Sequence, residues 1–91
     1  MTEVKHNENG KKFEVFHDGK SAGEMTYTWA GDDKFIIDHT EVGEQYGGLG
    51  LGKKLVEAGV QFAREKSVKI IPLCPFAKAA IQKNANWHDV L

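Results

Sequence analysis

The chain has 91 residues, 41% of them hydrophobic and 27% charged, which is the composition of one small globular domain spanning 1–91. Its formal net charge of −1 excludes a protein that grips nucleic acid by neutralising phosphates. The single cysteine closes no internal disulfide, the N-terminus is polar without a signal peptide, and no apolar run reaches membrane-span length, so a cytoplasmic protein with no membrane partner is expected.

A short strand fits residues 3–7. Residues 11–17 set Phe13 and Val15 against Glu14 and read as a strand. Asp18-Gly19 is a two-residue hairpin signal. Residues 21–29 follow as the partner strand, with Met25, Tyr27 and Trp29 on one face and assigned to the core. A turn at residues 30–33 leads to a third strand, 34–42, which is expected to put Phe35, Ile37 and His39 on one side. The period then changes. Leu51, Leu55, Ala58, Gly59, Phe62 and Ala63 recur at helical spacing, and the helix is expected to end near Lys66. Residues 68–73 read as a short buried strand. Pro75 suits the first position of a second helix carrying Phe76, Ala79, Ala80 and Ile81. Trp87 is expected to tack the tail onto the sheet. The strand–helix–strand unit makes strands 34–42 and 68–73 parallel neighbours. The fold class is therefore α+β: a mostly antiparallel sheet with one parallel strand pair and two helices.

The stretch Gln45-Tyr46-Gly47-Gly48-Leu49-Gly50-Leu51-Gly52-Lys53-Lys54 carries the chemistry. Glycines let the backbone approach a ligand, and the first N–H groups of a helix have no internal partner. Such a loop at a helix start is an anion cradle. Lys53 and Lys54 are unfavourable beside the positive helix end unless a polyphosphate binds there. A Walker A loop fails, because Lys54 stands where a hydroxyl must hold magnesium. The dinucleotide fingerprint G-x-G-x-x-G also fails, from Gly48 or from Gly50. A glycine loop that merely turns the chain is the plainer alternative.

Gly50-x-Gly52, entering a helix after a strand, resembles the coenzyme A pyrophosphate loop of GNAT-type N-acetyltransferases, Gln/Arg-x-x-Gly-x-Gly/Ala. Gly47 stands where that family has Gln or Arg, a departure for which Lys53 or Lys54 would compensate. The run His39-Thr40-Glu41-Val42, then the loop, then Leu73-Cys74-Pro75-Phe76, looks like the minimal single-domain members of that superfamily. The resemblance covers roughly residues 34–90. It implies a sheet splayed at its parallel pair, with pantetheine in the gap. It implies acetyl-CoA as cofactor, held by Thr40 and Val42 on the strand and by Gly47, Gly48, Leu49, Gly50, Leu51, Gly52, Lys53 and Lys54 in the loop and first turn.

Cys74 ends a buried strand at a helix N-terminus, where a thiolate is stabilised. Its alternative is a small buried hydrophobe. His39 ends the neighbouring strand and has the range of a general base. The parallel pair is expected to bring His39 and Cys74 to the same end of the sheet as the catalytic pair. His6, His17 and His88 lie away from these motifs and are read as surface residues, and no metal-ligand spacing is present. Tyr46 is left open between a cofactor contact and a protein contact. Three functions compete. One is acetyl transfer from acetyl-CoA to an amine or protein acceptor, with His39 deprotonating the amine or activating Cys74 toward an acetyl-Cys74 intermediate. The second is a non-catalytic coenzyme A or acyl-CoA module. The third is a protein-interaction domain whose loop binds no cofactor. A monomer or weak homodimer is expected.

Overall fold

The computed structural model describes residues 1–91. Five strands form one sheet in sequence order: β1 (Thr2–Asn7), β2 (Lys12–His17), β3 (Lys20–Trp29), β4 (Lys34–Val42) and β5 (Lys69–Pro72). The first four pair antiparallel and β4 pairs parallel with β5. A 3-10 turn, Glu44–Tyr46, follows β4. Helix α1 (Leu51–Lys66) crosses back, α2 (Pro75–Gln82) follows β5, and a 3-10 segment, Ala85–Val90, closes the chain. The expected α+β architecture is what the chain adopts.

Local chemistry explains the turns and ends. Asp18 and Gly19 both take positive φ, 51° and 82°, as a tight hairpin between β2 and β3 requires. α1 ends where Ser67 turns left-handed at φ 57° and returns its N–H to the carbonyls of Ala63 and Arg64. Pro75 opens α2, where its missing N–H costs nothing.

Twenty buried residues make one core between the sheet and the two helices. Phe13, Val15, Met25, Tyr27, Phe35 and Ile37 come from the sheet; Leu55, Val56, Val60 and Phe62 come from α1. Trp29 packs against this core while partly exposed. The tail lies on the helices rather than on the sheet as expected: Trp87 is buried where the 3-10 segment packs on α1 and α2. Arg64 of α1 holds Asp89 through Nε and one terminal nitrogen, 3.0 and 2.8 Å.

One irregularity in the sheet governs the site. Along β3 and β4, Thr26 lies opposite His39 but Tyr27 lies opposite Ile37. Asp38 is therefore an extra residue on β4, a β-bulge. A one-residue insertion exchanges the faces of everything beyond it. Phe35 and Ile37 face the core, as expected. His39 does not share their side: it and Glu41 face outward, while Thr40 joins the side of Met25.

Candidate active site

The glycine loop begins the site. Gly48 and Gly50 take φ 83° and 73°, and Gly50 is the N-cap of α1. This left-handed entry costs an L side chain strain and costs glycine little. No side chain caps the helix. The N–H groups of Gly48, Leu49, Gly50, Leu51, Gly52 and Lys53 have no hydrogen-bond partner; the first helical bond runs from the Lys54 N–H to the Gly50 carbonyl, 3.2 Å. Six consecutive free donors at the positive end of a 16-residue helix form an anion-binding surface.

These donors border a cavity of about 320 Å³ lined by Thr40, Val42, Tyr46, Gly47, Gly48, Gly50, Leu51, Gly52, Lys53 and Phe76. Leu49 is exposed at the surface and does not line it. Lys54 points into a different hollow, with Thr2 and Glu57. The two lysines follow each other in a helix, so they diverge by about 100°. Tyr46, left open by the sequence, lines the cavity, and so does Phe76, which the sequence does not mark. Phe76 sits over Gly52: a Cβ there would meet the ring at 2.6 Å. The one sequence signal for that contact is the glycine itself. A second hollow of about 310 Å³ adjoins the first across Lys53 and Phe76, with Ala79, Ala80 and Lys83 on its walls.

The parallel pairing stops at Ile37–Pro72, and β4 runs on to Val42 without β5 beside it. The Cys74 N–H bonds the Ile37 carbonyl at 3.1 Å as the last tie between the two strands. Thr40 and Cys74 face each other across the mouth of the resulting cleft, with Oγ1 3.5 Å from Sγ. Cys74 is the N-cap of α2 and is buried. Burial pushes its thiol up. The Thr40 hydroxyl and the backbone N–H groups of Ala77, Phe76 and Thr40 outweigh burial, and the thiol titrates below its ordinary value. Those amides form no short capping bond to sulfur, so their effect is that of dipoles aimed at it.

His39 is not brought to Cys74. The bulge turns it to the opposite face, where Nε2 lies 3.4 Å from Glu41 Oε2 and the side chain is 62% exposed. Glu41, Glu24 and Glu14 stand opposite one another on three adjacent strands of that face, an arrangement that attracts cations.

Of the other histidines, His88 is exposed as expected, while His6 and His17 are partly buried. His6 is half-buried: its ring stacks on Phe13 at 4.1 Å, and Nε2 meets the Tyr27 hydroxyl at 2.7 Å. His88 approaches the Ile81 carbonyl at 2.9 Å and so closes the C-terminal end of α2. No group of three metal-ligating side chains is present, and no helix is long and apolar enough to cross a membrane.

Residues 12–90 match the family model of GCN5-related N-acetyl-transferases. A GCN5-like protein of Staphylococcus aureus, known from its solution structure, shares 39% identity over 97% of this chain and 85% of its own, with a TM-score of 0.76. The chain belongs to the GCN5-related N-acetyltransferase family.

More distant solved structures share the fold. A ribosomal-protein-alanine N-acetyltransferase of Brucella melitensis superposes with a TM-score of 0.65 at 19% identity, over 79% of this chain and 60% of its own. The N-acetylglutamate synthase of Neisseria gonorrhoeae, solved with coenzyme A and N-acetylglutamate, superposes with a TM-score of 0.61 at 25% identity, over 71% of this chain and 16% of its own. The chain thus spans only part of the length of those two proteins. No protein of curated function matches it in sequence.

Proposed function

We propose that this chain, acting as one minimal domain, transfers an acetyl group from acetyl-CoA to an amine acceptor through Cys74. The observation that carries this reading is the row of free N–H groups from Gly48 to Lys53, opening on a cavity whose far wall is Thr40 beside Cys74. The residues fit a pyrophosphate. Donors border it, the helix dipole favours its charge, Lys53 is at hand, and nothing lies within 4 Å of where a Cβ on Gly48 or Gly50 would stand. Two adjoining hollows suit a long, jointed ligand better than a compact one. The S. aureus and N. gonorrhoeae relatives support the family chemistry.

The chain's own groups then act as follows. The Cys74 thiol ionises, and its sulfur attacks the acetyl carbonyl carbon. A carbon–sulfur bond forms on Cys74 as the bond to the coenzyme sulfur breaks, and that sulfur takes up a proton from solvent. The acceptor nitrogen next attacks the acetyl carbon on Cys74, loses a proton and frees the thiolate. The amine proton passes to solvent, because the bulge that turns His39 to the opposite face, beside Glu41, takes it away from Cys74.

The test is incubation with acetyl-CoA followed by mass spectrometry of the intact chain and its peptides. One acetyl group on Cys74, absent in Cys74→Ser, is the expected result. Full transfer activity in Cys74→Ser would move the reaction to direct attack by the amine. No binding of coenzyme A at millimolar concentration would remove the acetyl-transfer reading altogether.

The lysines give a separate check. Affinity for coenzyme A is expected to fall as salt rises, because partly exposed charges are screened over about 8–10 Å. Lys53→Ala should flatten that dependence and Lys54→Ala should leave it. Equal flattening in both would show that Lys54 reaches the ligand after all.

A further inference from the structure

We propose that Thr40 is a positioning residue whose hydroxyl holds the Cys74 sulfur beside the cleft and favours its ionised form. This inference rests on the covalent route above.

Four observations carry it. The contact with Oγ1 of Thr40 is the one side-chain hydrogen bond that Cys74 makes. The backbone ties between β4 and β5 end just before this point, so the side-chain contact spans a cleft that nothing else bridges. Thr40 lines the cavity and Cys74 does not; Cys74 is only 6% exposed, with its sulfur in contact with the Thr40 hydroxyl. The neighbours of Thr40 on its own side of β4 are Ile37 and Val42, both apolar. Apart from the backbone N–H of Thr40 itself, which both variants below keep, no other group on that strand acts on the sulfur.

Charge does not substitute for this bond. The titratable groups on the surrounding elements are His39 and Glu41 on β4, Lys53 on α1 and Lys78 on α2. None of them contributes to the thiol's lowered value, which comes from hydrogen bonds working against burial. A hydroxyl suits the task because it serves both states of the sulfur. It accepts from the thiol and donates to the thiolate. Donation to an anion is the stronger bond, so the contact favours ionisation. When the sulfur carries an acetyl group it is neutral again, and the bond weakens. Thr40 then favours return of the thiolate as the acceptor nitrogen displaces it.

The bulge at Asp38 explains why a threonine can do this. Without the extra residue, His39 would occupy the inward side and Thr40 would face solvent.

The experiment measures alkylation of Cys74 by iodoacetamide as a function of pH, on the full chain without added ligand. The variants are Thr40→Val, which keeps the shape, and Thr40→Ser, which keeps the hydroxyl. Thr40→Val is expected to raise the midpoint of the profile and slow alkylation at pH 7 by about tenfold, the scale of one hydrogen bond to a charged group. Thr40→Ser is expected to restore the wild-type midpoint. The midpoint reports ionisation and not access, and thermal melts of both variants verify the fold. An unchanged midpoint in Thr40→Val overturns the inference, and so does a Thr40→Ser midpoint equal to that of Thr40→Val. These outcomes are separate from the fate of the covalent route. A shifted midpoint with no acetyl-Cys74 supports Thr40 and defeats only that route.

Discussion

Single residues set the chemistry through conformations that few side chains can replace. Gly50 is the clearest case. Its φ of 73° is left-handed, and open space surrounds the position of a Cβ, so substitution costs strain and not collision. Gly50→Ala is expected to lower stability by about 1 kcal/mol in urea titrations, the usual penalty for a non-glycine residue in this region. It should weaken coenzyme A by more than its stability loss, because the freed N–H groups would turn. Affinity equal to wild type would separate the loop from the ligand. His6 makes a different prediction. Burial lowers its pKa from 6.5, and Glu8 and Glu65 only partly offset that. The folded state therefore prefers the neutral ring. The unfolded chain binds the extra proton first, so stability is held above about pH 6.5 and lost as pH falls toward the lower folded value. Urea midpoints across pH 7.5 to 5 check this, and His6→Phe, which keeps the stack on Phe13, should reduce the slope. A slope that His6→Phe leaves unchanged would assign the effect to other groups.

At the scale of elements, the outcome turns on what each segment packs against. α1 amounts to two things in one helix: its buried stripe from Leu51 to Ala63 closes the core, and its uncapped N-terminus faces the cavity. The tail is anchored twice, by Trp87 in the core and by Arg64 to Asp89 at the surface. These anchors are unequal. Trp87→Ala removes a large buried ring and is expected to cost about 3–5 kcal/mol. Arg64→Ala breaks an exposed ion pair and should cost less than about 1 kcal/mol. Denaturant midpoints of the two variants give the order, and a larger loss for Arg64→Ala would mean that the tail hangs on the surface contact. Much of this level was legible in the chain. Asp18-Gly19 announced its hairpin and Pro75 its helix, and the apolar spacing after Gly50 ended where α1 ends. The Asp38 bulge was not legible. Alternation along 34–42 continues through it in the sequence, and only the register against β3 shows the extra residue.

The whole molecule is a thin sheet with two helices on one face and the other face open. Longer solved structures superpose on it over part of their length. Such a small domain buries a modest core, so a bound ligand should add measurably to its stability. Coenzyme A at about 100 times its dissociation constant is expected to contribute about 2.7 kcal/mol, seen as a rise of several degrees in the melting temperature. The rise should be absent with a neutral ligand of pantetheine type that lacks the phosphates. An equal rise with both would place the binding energy in the cleft and not in the glycine loop.

The sequence by itself determined the order and type of the elements, the glycine cradle at the start of α1 and the family. Those features are local: periodicity, turn residues and glycine spacing are written within a few residues of each other. Tertiary structure decided which side chains meet. His39 and Cys74 were expected as a pair because both end neighbouring strands, yet one added residue turned His39 to the open face and put Thr40 against the sulfur. Phe76 reached the cavity because α2 crosses the first turn of α1 at Gly52, and Lys54 missed it because one residue of helix carries a side chain about 100° around the axis. His6 became half-buried because β1 lies at the sheet edge and its ring meets Phe13 and Phe62. Each of these depends on register or on helix crossing, which join residues far apart in the chain and leave no pattern in the residues between them.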